Sequence, residues 1–249
     1  MSEMRSPEET LDEFYRGKVR FWQPRKGYRF ALDAPLLADF IETRPEDEIC
    51  ELGTGNGVIA VLLSLKPFRR ITALELQSSL FALAVRNVAL NGLGARIGVV
   101  QTDLREFRPG RVFDLVFANP PYVRKGTGFP SPWTEKTVAK QEVTCDIYQV
   151  MEAAADLLKP AGRASFVFPA ARFDDLIMAA AGRDLHPRRL RFVRPRAGDP
   201  ANLFLSEFRF GRGGRPLTLE PLVLYGPDGE QTPETQAVCE GRTRGPAHP

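Results

Sequence analysis

Glu51-Leu52-Gly53-Thr54-Gly55-Asn56-Gly57 is the stretch on which the fold turns. It leaves a short apolar run, Glu48–Leu52, and enters an apolar helix read over residues 57–66, which Pro67 stops. Glycines at Gly53, Gly55 and Gly57 let a backbone turn sharply and let a ligand approach it closely. The G-x-G-x-G spacing is not the G-x-G-x-x-G of nicotinamide enzymes. No Lys-Ser/Thr pair follows, so a P-loop is excluded as well. The plain alternative is a glycine turn that only joins a strand to a helix.

Strand and helix alternate on both sides of this stretch. Asp33 reads as the N-cap of a helix over 33–41, with Pro35 in its first turn. Downstream come a strand Arg70–Glu75, a helix Ser78–Leu90 stopped by Asn91-Gly92, and strands over 96–100 and 112–118. A loop follows to about residue 139. A helix over 147–158 is closed by Pro160-Ala161-Gly162, and a strand over 164–168 and a helix Phe173–Ala181 come next. The last strands, near 190–193, 203–210 and 217–224, have no helices between them. This order predicts an α/β fold: a mostly parallel seven-stranded sheet with an antiparallel edge and helices on both faces. Residues 1–32 read as an N-terminal extension, frayed over 1–13 and then basic and aromatic. Residues 33–225 read as the catalytic domain and 226–249 as a loose tail.

The 249 residues suffice for one such domain with a full core. No apolar run reaches the ~20 residues that span a bilayer, and the polar, acidic N-terminus does not read as a secretory signal. Three separated cysteines match no metal spacing and suit a reduced cytoplasm, and two histidines leave little for histidine chemistry. The net charge of +3 is unevenly spread. Arg16, Lys18, Arg20, Arg25, Lys26 and Arg29 form one basic cluster; Arg183, Arg188, Arg189, Arg191, Arg194 and Arg196 form another. Two such clusters on a nearly neutral chain suit a polyanionic partner such as RNA, or else a solvated surface.

Three acids lie at the carboxyl ends of three predicted strands. A carboxylate at Glu51 would repel a pyrophosphate and suits a ligand with positive charge, such as the amino and sulfonium groups of S-adenosylmethionine. Glu75 lies one β-α-β step further on, where it can accept hydrogen bonds from both ribose hydroxyls. Asp103 follows the third strand and could hold the adenine amino group. Acids in these places also serve as helix caps, so it is the combination with the glycine loop that points to a cofactor.

Asn119-Pro120-Pro121-Tyr122 follows the apolar strand over 112–118 directly. Two prolines stiffen the loop and remove two amide donors. The Pro120 carbonyl and the Asn119 side-chain oxygen are then two rigid acceptors suited to an exocyclic NH2 group. Such a nitrogen is a poor nucleophile. Gripping both N–H bonds aims its lone pair at the methyl group, so positioning and electrostatics suffice without a strong base. Tyr122 offers a flat face on which a planar base can stack. The bland reading is a diproline turn ending a buried strand.

These two motifs resemble those of the class I, Rossmann-like N-methyltransferases, over roughly residues 26–225. Within that group Lys26-Gly27-Tyr28-Arg29-Phe30-Ala31-Leu32-Asp33-Ala34-Pro35-Leu36-Leu37-Ala38 is similar to the segment before the cofactor loop in bacterial tRNA(Val) adenine-N6-methyltransferases. The ending Pro221-Leu222-Val223-Leu224-Tyr225, then Gly229-Glu230-Gln231-Thr232-Pro233-Glu234, is also similar, with Gln231 where that family usually has Tyr. The resemblance implies S-adenosylmethionine as cofactor and adenine N6 in RNA, a tRNA in particular, as target. It implies cofactor or catalytic positions at Glu51, Gly53, Glu75, Asp103 and Asn119, with Tyr28, Arg29 and Asp33 closing over the methionine end. Residues 28–32 read equally as a packing segment. A protein glutamine methyltransferase acting on release factors uses the same Asn-Pro-Pro-Tyr chemistry but carries a longer helical domain before the glycine loop. DNA or ribosomal RNA methylation is a further alternative.

Overall fold

The computed structural model describes residues 8–26, 29, 31–120, 145–211 and 214–242. A hairpin, β1 (Glu9–Phe14) and β2 (Val19–Pro24), precedes helix α1 (Asp33–Phe40). Then come β3 (Glu48–Leu52), α2 (Val58–Leu63), β4 (Arg70–Glu75), α3 (Ser78–Leu90), β5 (Ile97–Gln101) and β6 (Phe113–Ala118). Helix α4 (Ile147–Leu157), β7 (Leu158–Pro169), a 3-10 turn (Ala170–Arg172), α5 (Phe173–Ala181), β8 (Leu185–Arg194) and β9 (Leu203–Phe210) follow. Two-residue strands β10 (Leu217–Thr218) and β11 (Leu222–Val223) and helix α6 (Pro233–Cys239) end the described chain.

The main sheet runs β10-β8-β9-β7-β6-β3-β4-β5, with β11 also on β8. The described sheet has nine strands: seven longer ones, β3 to β9, with the strand read over 217–224 reduced to the two short pieces β10 and β11. β9 alone is reversed: it pairs antiparallel with both β7 and β8, while β10 and β11 lie parallel to β8. Strand alternation divides the core in two. Ile49, Leu115, Phe117 and Val193 face α1 and α2, whereas Cys50, Val116, Ala118, Phe166 and Phe204 face α4 and α5. The chain goes from β3 outward through β4 and β5, then returns to place β6 on the other side of β3. This reversal opens a crevice at the carboxyl ends of β3 and β6, where open α/β sheets bind ligands.

Four expectations are corrected. The stretch over 1–13, read as frayed, contains β1, whose six residues all pair with β2. Asp33 is the first residue of α1 and not its N-cap; Leu32 precedes it in helical conformation, and Asp33 Oδ1 accepts the Ala34 amide at 2.9 Å. Pro160-Ala161-Gly162 does not form a turn after α4 but lies within β7, whose register against β6 shifts between Phe113 and Leu115. An irregular strand start tolerates the missing Pro160 amide. The loose tail is corrected over 226–242. Thr232 caps α6, Val238 and Thr235 are buried, and Tyr225 and Gln231 form a backbone bridge.

The amino end of the sheet is held by ion pairs. Arg163 meets Asp47, and both side chains are almost wholly buried. Arg189 meets Glu42 and Glu207 and stacks over the Phe40 ring at 4.3 Å. Lys66 Nζ donates to the Ala38, Asp39 and Ile41 carbonyls at 2.7, 2.8 and 2.5 Å, closing the C-terminus of α1.

Candidate active site

The glycine loop lies in the crevice between β3 and β6. Gly53 has φ +72° and Gly57 φ +83°, a left-handed conformation that side chains other than glycine rarely adopt. A Cβ on Gly53 would enter open space, so the loop presents bare backbone to the crevice. A Cβ on Gly57 would meet the Ala84 Cα at 3.4 Å, which sets how closely α2 packs on α3.

Both strand-end glutamates grip this loop. Glu51 is 1% exposed and accepts the Thr54 hydroxyl at 2.5 Å. Burial pushes its carboxyl from 4.5 up to about 8, against the pull of the Thr54 and Ala60 hydrogen bonds. Glu75 takes the Gly55 amide at 2.8 Å on one oxygen and the Gln77 amide at 2.8 Å on the other. Burial raises its pKa as well. Glu51 also takes the Ala60 amide and Glu75 the Leu76 amide, so a ligand here shares both carboxyls with backbone amides of the site.

Strand alternation predicts where Asn119 points. Leu115 and Phe117 face α1, so Asn119 does too. Its Nδ2 donates to Asp33 Oδ2 at 3.0 Å, across 86 residues of sequence. That bond fixes which way the amide lies and turns Oδ1 away from Asp33. Pro120 is buried beside it. Pro121, Tyr122, Tyr28 and Phe30 lie outside the described residues.

Other expected residues are engaged elsewhere. Arg105 chelates Asp103, with Nη2 at 2.5 Å from Oδ2, and this holds the Asp103 carboxyl below its ordinary value. The Arg29 guanidinium goes to the hairpin, with Asp12 at 2.5 Å, Thr10 Oγ1 at 2.9 Å and the Pro24 carbonyl at 3.0 Å. The structure therefore brings Asp33, Glu51, Gly53, Gly55, Gly57, Glu75 and Asn119 to one crevice, and ties Arg29 to the N-terminal strands.

Two residues that organise the site escaped the sequence reading. Thr54 braces Glu51. Asn87, fully buried on α3, accepts the Trp22 amide at 2.7 Å and donates to the Trp22 carbonyl at 3.1 Å and the Asn56 carbonyl at 2.9 Å. One side chain thus ties the hairpin to the glycine loop. A signal for it was available: with Leu83, Ala84 and Val88, Asn87 falls on the buried stripe of α3, where an amide needs partners.

Residues 32–173 match the family described as methyltransferase small domain. The chain is 28% identical over 209 residues to the tRNA1(Val) (adenine(37)-N6)-methyltransferase of Parabacteroides distasonis, covering 82% of this chain and 87% of that one. It is 28% identical over 221 residues to the protein of that name from Tolumonas auensis, covering 88% and 91%. Among solved structures it is similar to a predicted O-methyltransferase from Agrobacterium tumefaciens, with TM-score 0.68 and 21% identity, covering 85% of this chain and 97% of that one. It is also similar to the tRNA m1G37 methyltransferase of M. jannaschii, with TM-score 0.57 and 15% identity, covering 84% and 58%. These structural likenesses bear on the fold, which is that of the class I methyltransferases.

Proposed function

Because the chain belongs to the methyltransferase small domain family and is an S-adenosylmethionine-dependent methyltransferase, we propose that it methylates the exocyclic N6 of adenine in RNA, a tRNA in particular. The observation that carries this reading is the Asn119 amide at the crevice between β3 and β6, whose Nδ2 is held by Asp33. The names of its relatives support the choice of adenine in tRNA.

The residues present fit the cofactor. Gly53 leaves room for a ligand against the backbone, and Glu51 is a buried acid suited to a cationic amino group. Glu75 would accept the ribose hydroxyls, and Asp103 would take the adenine amino group in exchange for bonds it now receives from Arg105. Asp33 would close the methionine end, joined by Tyr28 and by Arg29 once released from the hairpin. When bound, S-adenosylmethionine supplies an electrophilic methyl group. Asn119 Oδ1 and the Pro120 carbonyl accept the two N–H bonds of the target amine and aim its lone pair, and Tyr122 stacks on the base. An adenine that reaches this crevice is extruded from its stack. Among the described residues no helix is long and apolar enough to cross a membrane, and the cytoplasm, where tRNA resides, is the proposed compartment.

The test is to incubate the protein with methyl-labelled S-adenosylmethionine and tRNA from a strain lacking its gene. Label is expected in N6-methyladenosine. Label found only in a release-factor glutamine would overturn the reading.

Asp33 gives a second expected result. Asp33→Ala removes the partner of Asn119 Nδ2 and is expected to lower kcat about tenfold, the worth of roughly one such hydrogen bond. Asp33→Asn keeps an acceptor there and is expected to recover most of the rate. An effect confined to cofactor affinity would assign Asp33 to the cofactor alone.

A further inference from the structure

The two basic clusters look equivalent in sequence, and the fold separates their members. The turn between β1 and β2, which carries Arg16 and Lys18, lies at the amino end of the sheet: Tyr15 there is near Asp39, at the C-terminus of α1, and Arg16 pairs with Glu240 at 2.6 Å. In the second cluster Arg183 pairs with Glu152 ahead of β8, Arg189 is buried against Glu42 and Glu207, and Arg191 is held by Glu234. These three arginines already have carboxylate partners.

Arg194 and Arg196 differ. β8 runs parallel to β6, so its last residue, Arg194, lies at the carboxyl rim that also carries Asn119. The register fixes the offset: Ala118 is level with Phe166, Phe166 with Ser206, and Ser206 with Leu190. Arg194 is therefore three strand spacings, about 14 Å, to the side of β6 and four residues, about 13 Å, further along the strand direction. Sheet twist changes these figures but not the end of the sheet concerned. Neither arginine has an ion pair among the described residues. Arg194 Nε is buried without a hydrogen-bond partner, and Arg196 is exposed on the turn after β8. Asp199, on the same turn, forms no ion pair with either.

Resting on the RNA reading above, we infer that Arg194 and Arg196 bind the phosphate backbone of the RNA as it leaves the crevice, a few nucleotides from the base held at Asn119. A guanidinium matches a phosphate in geometry as well as in charge. Two cations at this distance position the strand and carry no base specificity. Lys18 and Arg20 are exposed on the N-terminal hairpin, which packs on α3, and do not lie on this rim.

The test compares Arg194→Ala/Arg196→Ala with Lys18→Ala/Arg20→Ala in the full chain. Binding of an unmodified tRNA transcript is followed by fluorescence anisotropy over a salt series. The rim variant is expected to bind about tenfold more weakly at 0.1 M salt, and its log Kd against log salt should flatten by roughly 1.5 to 2. Its affinity for S-adenosylhomocysteine, by calorimetry, should stay within twofold of wild type and so reports an intact fold. The hairpin variant should bind RNA within twofold of wild type. Equal losses in both variants, or none in the rim variant, would overturn the assignment and leave the RNA reading standing. Failure of the unaltered protein to bind the transcript would overturn the RNA reading, and the assignment with it.

Discussion

Asn119→Ala is expected to lose about 10²–10³-fold in kcat, the usual cost of removing one preorganised transition-state hydrogen-bond partner, while the cofactor binds with near-normal affinity. The amide lies at the end of an apolar strand, locked by Asp33 at 3.0 Å on the side of α1. In the proposed reaction its oxygen is the acceptor that strengthens as positive charge grows on the attacked nitrogen. A contact that tightens only in the transition state lowers kcat without weakening the ground state. Single-turnover methylation read beside calorimetric cofactor binding checks this. Unchanged turnover would remove Asn119 from the chemistry, and a parallel loss of cofactor affinity would make it a binding residue.

Glu51→Gln is expected to weaken S-adenosylmethionine binding about 30–100-fold, a loss of roughly 2–3 kcal/mol for a buried charge-assisted hydrogen bond. The pH dependence is the sharper result. In the free protein burial holds the Glu51 carboxyl at about 8, so near neutral pH it carries a proton. A cationic ligand favours the ionised form, so binding there releases a proton. Affinity should therefore rise with pH, by up to about tenfold per unit, and level off above about 8. The stability sign is the reverse. A carboxyl raised from 4.5 to about 8 favours folding below 4.5, and that contribution is lost as pH rises toward 8. Cofactor should offset the loss. In Glu51→Gln both dependences should flatten. Calorimetry in buffers of different ionisation heat counts the proton directly, and a zero count at pH 7 would contradict the buried protonated state.

Most of the sheet could be read from the sequence because its central strands are short and carry apolar runs, and glycine, proline and asparagine punctuate them. β3, β4, α3, α5 and β9 fall on the residues expected. The errors share a cause. β1 is polar and acidic, and it holds as a strand because β2 pairs with it and Arg86 grips Glu9 at 2.8 Å. α6 follows a Gly- and Pro-rich stretch and persists because the Thr232 cap and the buried Val238 fix it. In each case tertiary contacts outweigh local composition. In the site, Glu51, Glu75 and Asn119 were readable since each lies at the carboxyl end of a strand. The Asn119–Asp33 bond, the Thr54 brace and the Asn87 tie were not, because they depend on packing between distant segments. The basic clusters misled most: sequence proximity grouped arginines that the fold sends to opposite ends of the sheet.

The reversed strand β9 lies between β7 and β8, and the described sheet partners of β8 are β9, β10 and β11, all later in the chain. In order of synthesis, the strands that form the cofactor crevice, β3 to β6, are complete by residue 118. β8 packs on α5 but has no described sheet partner until residues 203–210 have been made and bridge it to β7. Closing such a long-range pairing costs chain entropy that local contacts do not repay. The edge carrying Arg194 and Arg196 is thus joined to the crevice strands through one reversed strand, and completes the sheet only when that strand, its last long one, is present.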